Sequence, residues 1–152
     1  MTNIRRMGET GTVPAVPPLW AGKELADHPY PIKSFYDAGA NVVFHSDYPV
    51  SPIFDIKLSI YMAETRAFPK SMYEGDTSRN KEEAITREQS LKALTINVAR
   101  AWHQESRMGS IEFGKIANMT VYDCDFLHDD IEKVVEANLI ATVVDGVEVY
   151  KG

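Results

Sequence analysis

A single cysteine, Cys124, in 152 residues leaves this sequence with no internal disulfide and no Cys-x-x-Cys zinc or redox site. No stretch of roughly eighteen apolar residues is present to cross a membrane. The charged start, Met1 to Gly8, has no apolar segment behind it to make an export signal, so a cytoplasmic location is expected. Basic residues are in the minority, 16 Lys and Arg against 22 Asp and Glu, and the net charge of −6 is scattered rather than blocked. Without a basic stripe there is nothing to neutralise a row of phosphates, which sets nucleic acid aside as a partner. Histidine is scarce as well. His28, His45, His103 and His128 lie far apart, and neither His-x-His nor His-Glu-x-x-His occurs to put two imidazoles on one face. Internal repeats and low-complexity tracts are also missing.

What is present suits one ordinary domain, since 44% apolar content supports a sizeable core and no composition flag marks disorder. The most informative stretch is Asp37-Ala38-Gly39-Ala40-Asn41-Val42-Val43-Phe44-His45-Ser46-Asp47-Tyr48-Pro49. Gly39 supplies the left-handed residue that lets a helix stop, Val42 to Phe44 form a short run suited to a strand buried on both faces, and Pro49 forbids its continuation. Upstream, Thr12 to Val16 reads as a strand opening into a proline-rich loop, and Pro31 to Ala38 as a helix with Ile32, Phe35 and Tyr36 on one face. The result is a strand, helix, strand unit ending at Asp47. In a parallel α/β architecture, a polar residue at that end of a strand stands where ligands bind.

Ser51 to Arg66 carries Ile53, Ile56, Leu58, Ile60, Tyr61 and Met62 near a helical period. The polar stretch Pro69 to Glu83 follows, readable as a lid or as a plain surface connection. Thr86 to Gln104 is expected to be a single helix, opened by the capping pattern Thr86-Arg87-Glu88-Gln89 and burying Leu91, Leu94, Val98, Ala101 and Trp102. Beyond Met108 glycines punctuate β-branched runs at Asn118 to Tyr122 and Ala141 to Tyr150. The Asp145-Gly146 pair inside the second is a strong hairpin signal.

Taken in order, the Asp-Ala-Gly turn, Ser46-Asp47-Tyr48-Pro49-Val50, the helix Ser90-Leu91-Lys92-Ala93-Leu94-Thr95-Ile96-Asn97-Val98-Ala99, and Met108-Gly109-Ser110-Ile111-Glu112-Phe113-Gly114-Lys115-Ile116-Ala117-Asn118 resemble the metal-dependent amidohydrolases, family 3 subgroup. The resemblance runs from about Ile4 to Tyr150, yet corresponds to only the last third or so of a family member. It implies an α/β fold, the C-terminal part of a (β/α)8 barrel over residues 1–107 followed by part of a small β-sandwich over 108–152. Thr12 to Val16 and Asn41 to Phe44 would be the seventh and eighth barrel strands, and Thr86 to Gln104 the last barrel helix. Two departures stand out: His45 where the family usually has glycine, and Ala117-Asn118 where it usually has Ala-Asp.

The resemblance implies a hydrolase of non-peptide C–N bonds that acts on a small amide-like substrate and uses a divalent metal, best read as zinc. Such chemistry needs a proton carrier that takes from water and gives to the leaving nitrogen, and a strand-tip carboxylate can do this. That role falls by resemblance on Asp47, with metal contact as a second duty. A turn aspartate capping local amides is the alternative. Strand periodicity puts His45 on the side of Asp47 as a substrate contact, or as a hydrogen-bonded interior histidine. Arg66 is a candidate for a substrate carboxylate or a structural arginine, and Cys124 reads as a bland buried thiol. The elements that normally capture the metal are not in this sequence, so little stable metal binding is expected of the chain alone. The expected partner is a complementary chain or a second copy, the latter leaving a noncatalytic interaction module as the rival function.

Overall fold

The computed structural model describes residues 3–21, 30–50, 55–75 and 77–152. His28, Ile53 and the first residues of the helix expected from Ser51 lie outside the described residues. The chain opens with a helix that the sequence reading did not anticipate, α1 (Asn3–Thr10). It buries none of its residues fully, and only Ile4 and Met7 mark its apolar face. An Arg5–Glu9 ion pair at 3.1 Å, one helical turn apart, and the Thr10 hydroxyl bonded to the Arg6 carbonyl at 2.8 Å hold it.

Strand β1 (Ala15–Val16) is shorter than expected, because Pro17 and Pro18 turn the chain into a single 3-10 turn, Pro18–Trp20. Helix α2 (Ile32–Asp37) ends as Gly39 requires: at φ 78° that residue lets its N–H reach the Tyr36 carbonyl at 2.9 Å while Ala40 N–H reaches Phe35 at 3.0 Å. Strand β2 (Val43–Phe44) then lies parallel to β1, with Ala15 opposite Val43 and Val16 opposite Phe44. His45 N–H extends the ladder by one bond, to Val16 O at 3.1 Å. Parallel neighbours joined through a helix are the arrangement expected of consecutive strands in an α/β sheet.

Helix α3 (Ile56–Thr65) starts on Asp55, whose carboxylate accepts from Lys57 N–H at 2.8 Å, and stops at Arg66, where φ turns to 58°. The following loop folds on itself. Arg79 N–H returns to Arg66 O at 3.0 Å, Phe68 N–H donates to the Thr77 hydroxyl at 2.9 Å, and Phe68 stacks on Tyr73 with centroids 5.5 Å apart. Its end is tied to α2, because Ser34 N–H donates to Glu83 at 2.9 Å.

The single helix expected over Thr86 to Gln104 is instead two, α4 (Arg87–Leu94) and α5 (Ile96–Ala101). The capping box is present as read, with Thr86 and Gln89 exchanging bonds at 2.9 and 3.2 Å. The break falls at Thr95, at φ −129° and ψ −95°. It turns α5 so that Asn97 reaches the strand, donating to Val42 O at 3.0 Å and accepting on its own carbonyl from Asn41 at 2.9 Å. The same break overturns the expectation for Trp102, which caps α5 and is 75% exposed rather than core.

Val16, Ile32, Val42, Phe44, Ala63, Ile85 and Ala93 form the buried centre that fixes β1 and β2. A second cluster, Leu19, Leu58, Tyr61 and Met62, receives Ile131 and Val135 from α6 (Ile131–Glu136). That helix was also missed. The β-rich character of the tail hid a short stripe capped by Asp130, which accepts from Glu132 N–H at 2.9 Å. Strands β3 (Met119–Tyr122), β4 (Leu139–Val144) and β5 (Val147–Lys151) make an antiparallel sheet in that order. Asp145 and Gly146, at φ 51° and 78°, form the two-residue turn read from the sequence. Arg87 ties the tail turn to the helices, gripping Glu64 at 2.6 and 3.0 Å and donating to the carbonyls of Phe126 and Asp129 at 3.2 and 2.8 Å.

Candidate functional site

Strand β2 carries the chain outward to His45, Ser46 and Asp47. Regular extension ends at Phe44, and Asp47 sits at φ 58° in the left-handed region that Asp tolerates better than most residues. The alternation used to put His45 and Asp47 on one side therefore does not reach Asp47. Both residues stand at the carboxyl end of β2, and both are exposed. Neither the His45 ring nor the Asp47 carboxylate meets a hydrogen-bond partner among the described residues. The reading of His45 as a hydrogen-bonded interior side chain is thus corrected, because the strand ends before it. A turn aspartate caps the amide two residues on, and here that position is Pro49, which has no N–H to offer; the Tyr48 N–H between them donates to the Ser46 hydroxyl at 3.3 Å.

Arg66 is not at this rim. It is fully buried, its guanidinium donating to Tyr30 O at 3.3 Å and Arg79 O at 3.4 Å. Burial lowers its pKa from the usual value, and Glu83 and Glu82 oppose that shift. Its hydrogen bonds hold the loop after α3 against the segment leading into α2.

Other titratable groups are occupied or remote. His128 Nδ1 lies 2.8 Å from Asp125, whose carboxyl that contact holds below the usual range, with the Leu127 amide adding to the effect. Burial pushes the half-buried Cys124 thiol up, helped by nearby Asp129 and Asp123, which opposes its use as a nucleophile. A cleft of about 630 Å³ opens at the opposite end of the strands, lined by Gly11 and Val13 ahead of β1, Asn41 ahead of β2, and Tyr36, Asn97 and Arg100. Its buried polar groups are spent on structure. Asn97 donates to Val42 O and to the Tyr36 hydroxyl at 3.3 Å, and that hydroxyl donates to Gln89 O at 2.8 Å. Burial raises the Tyr36 pKa to about 12, against a small opposing effect of Asn97. Ligands of parallel α/β sheets bind at the carboxyl ends of strands, so size alone does not make this cleft the site.

A metal-assisted hydrolase needs several convergent N and O donors. Among the described residues no group of three or more His, Cys, Asp or Glu is placed to hold a metal ion. His103 follows α5 and His128 is engaged with Asp125, leaving Asp47 as a lone carboxylate with His45 nearby in sequence. These residues do not by themselves fit a bound cation.

The model of the amidohydrolase family matches residues 2–150. The chain belongs to the amidohydrolase family. This amidohydrolase chain is similar to the N-substituted formamide deformylase of Arthrobacter pascens, 32% identical over 135 residues, which cover 88% of the chain and 24% of that protein. It also resembles the imidazolonepropionase of Parabacteroides distasonis, 29% identical over 98% of the chain and 32% of the relative. Among solved structures, a zinc-bound adenosine deaminase from Xanthomonas campestris superposes with a TM-score of 0.73 at 23% identity, over 97% of the chain and 34% of that structure. The chain thus spans about a quarter to a third of the length of the curated relatives it matches. The likeness to solved amidohydrolases supports the mixed α/β fold at the level of architecture. Sequence reasoning assigned no role to Ser46 or Asn97. A polar side chain on an otherwise apolar helix face was the available signal for Asn97.

Proposed function

We propose that this chain is the C-terminal portion of a metal-dependent hydrolase of non-peptide C–N bonds, with Asp47 as its proton shuttle. In this reading residues 1–107 contribute the last strands and helices of a (β/α)8 barrel and 108–152 part of a composite sandwich, in a cytoplasmic enzyme. The cation, a divalent metal such as zinc, would be held chiefly by strands outside this chain, where it supplies Lewis acidity. Asp47 would complete the pocket from its own side. An ionised carboxylate accepts a proton from the attacking water and returns it to the nitrogen of the departing amine, which otherwise leaves as a poor anion. His45 would stand at the pocket mouth against a small amide-like substrate, and Arg66, spent on the backbone carbonyls of Tyr30 and Arg79, would not.

The observation that supports this reading is the position of Asp47 at the strand tip. Asp47 stands exposed at the carboxyl end of β2, and its carboxylate meets no hydrogen-bond partner among the described residues. The test supplies the missing strands from the amino-terminal part of the formamide deformylase relative and assays N-substituted formamides as probes. Hydrolysis should appear on mixing. Asp47→Asn should lower kcat by about 10²- to 10⁴-fold with KM held. Full activity in Asp47→Asn would end the shuttle assignment.

A second reading, a noncatalytic module that associates with another copy, is favoured by one face of the tail sheet. Ile140, Val144, Val147 and Tyr150 share that face and are 42%, 44%, 62% and 47% exposed. Apolar surface of this kind is usually covered by a partner.

A further inference from the structure

We propose that Ser46 is a positioning residue for Asp47, its side-chain hydroxyl holding the backbone kink that presents the carboxylate. The inference rests on the proton-shuttle reading for its functional meaning, but its structural content stands on two separate observations. Asp47 lies at φ 58°, a conformation that an L residue enters at a cost, and the neighbouring Tyr48 N–H is directed to Ser46 Oγ at 3.3 Å. A Ser hydroxyl accepting from the amide two residues on closes a small ring around the residue between them, here Asp47. The ring offsets the backbone cost at Asp47 and fixes the direction in which the chain presents the Asp47 carboxylate. Position 46 is half-buried beside exposed neighbours on both sides, so a change there disturbs little packing.

The experiment compares Ser46→Thr with Ser46→Val, nearly isosteric side chains that differ in the hydroxyl, alongside Ser46→Ala, in the full ¹⁵N-labelled chain. Left-handed backbone gives a strong intraresidue HN–Hα NOE at Asp47, and the bonded Tyr48 amide exchanges slowly with solvent. Ser46→Thr should keep both signals. Ser46→Val and Ser46→Ala should lose the NOE and speed Tyr48 exchange at least roughly tenfold, as expected for a lost hydrogen bond of ordinary net strength, with the rest of the spectrum unchanged. Retention of both signals in the Val and Ala variants, or their loss in Thr, would overturn the proposal. In the reconstituted hydrolase, Ser46→Val should lower kcat by roughly 10- to 100-fold with KM held, and Ser46→Thr should restore it. Absence of any reconstituted activity counts against the shuttle reading alone, since the NMR comparison decides the role of Ser46 independently.

Discussion

At the scale of single residues, the polar side chains that matter most are those whose hydrogen bonds cross between elements. Asn97 is 5% exposed and reaches both β2 and the Tyr36 hydroxyl. Replacing it by Ala strands the Val42 carbonyl and should cost about 1–3 kcal/mol, read as a lowered urea midpoint with unchanged m-value. Arg87 is a stronger case, because its guanidinium serves one carboxylate and two carbonyls, and its side chain and that of Glu64 are 13% and 29% exposed. Its bond to Glu64 holds its pKa above the usual value, with desolvation acting against that. Arg87→Ala leaves Glu64 and two carbonyls unpaired and should destabilise by about 3 kcal/mol, and Glu64→Gln by less, measured by equilibrium unfolding. None of these partnerships was visible in the sequence, since Arg87 and Glu64 stand 23 positions apart. Asp47 was visible as a strand-tip carboxylate, but the Ser46 hydroxyl that bridges its backbone kink was not.

At the scale of elements, what local rules dictate was readable and what neighbours impose was not. The helix stop at Gly39, the capping box at Thr86 and the Asp145-Gly146 turn each follow from the chemistry of a few adjacent residues, and each is in place. Thr86→Ala removes the hydroxyl that receives Gln89 N–H and should cost about 1 kcal/mol of stability, checked by thermal unfolding, while Thr86→Ser should cost little. The break at Thr95 belongs to another class. A continuous helix satisfies the local pattern equally well, but it would not bring Asn97 to the strand, and tertiary bonding decides against it. Trp102 was assigned to the core on helical spacing, and the break carried it into solvent. Helix α6 was hidden for the converse reason: its six residues gain their stability from packing Ile131 and Val135 on α3 rather than from propensity.

At the scale of the whole molecule, burial gives stability a pH dependence with a definite sign. The folded chain keeps the Tyr36 phenol protonated up to about 12, above the 10.0 of a solvated tyrosine. Between those values the native state binds more protons than the unfolded chain, so stability is complete below the lower value and falls as pH rises through the window. Chemical denaturation across that range should show the decline, and Tyr36→Phe should lessen it without abolishing it, because burial also raises the Tyr61 and Tyr122 phenols. The exposed sheet face predicts association, with sedimentation showing a concentration-dependent oligomer that Val147→Lys shifts toward monomer. The sequence by itself determined the local features and the family: where strands and turns form, that the fold mixes α and β, and that a carboxylate follows a buried apolar run. These depend on side chains a few positions apart, whose sterics and hydrogen bonding act before any fold exists. Only the tertiary structure decided where the last long helix breaks, which way Trp102 faces, that Arg66 is spent on carbonyls and that the Asp47 carboxylate meets no partner among the described residues. Those outcomes depend on which distant groups arrive to satisfy buried donors and acceptors, and no spacing along one chain encodes that directly.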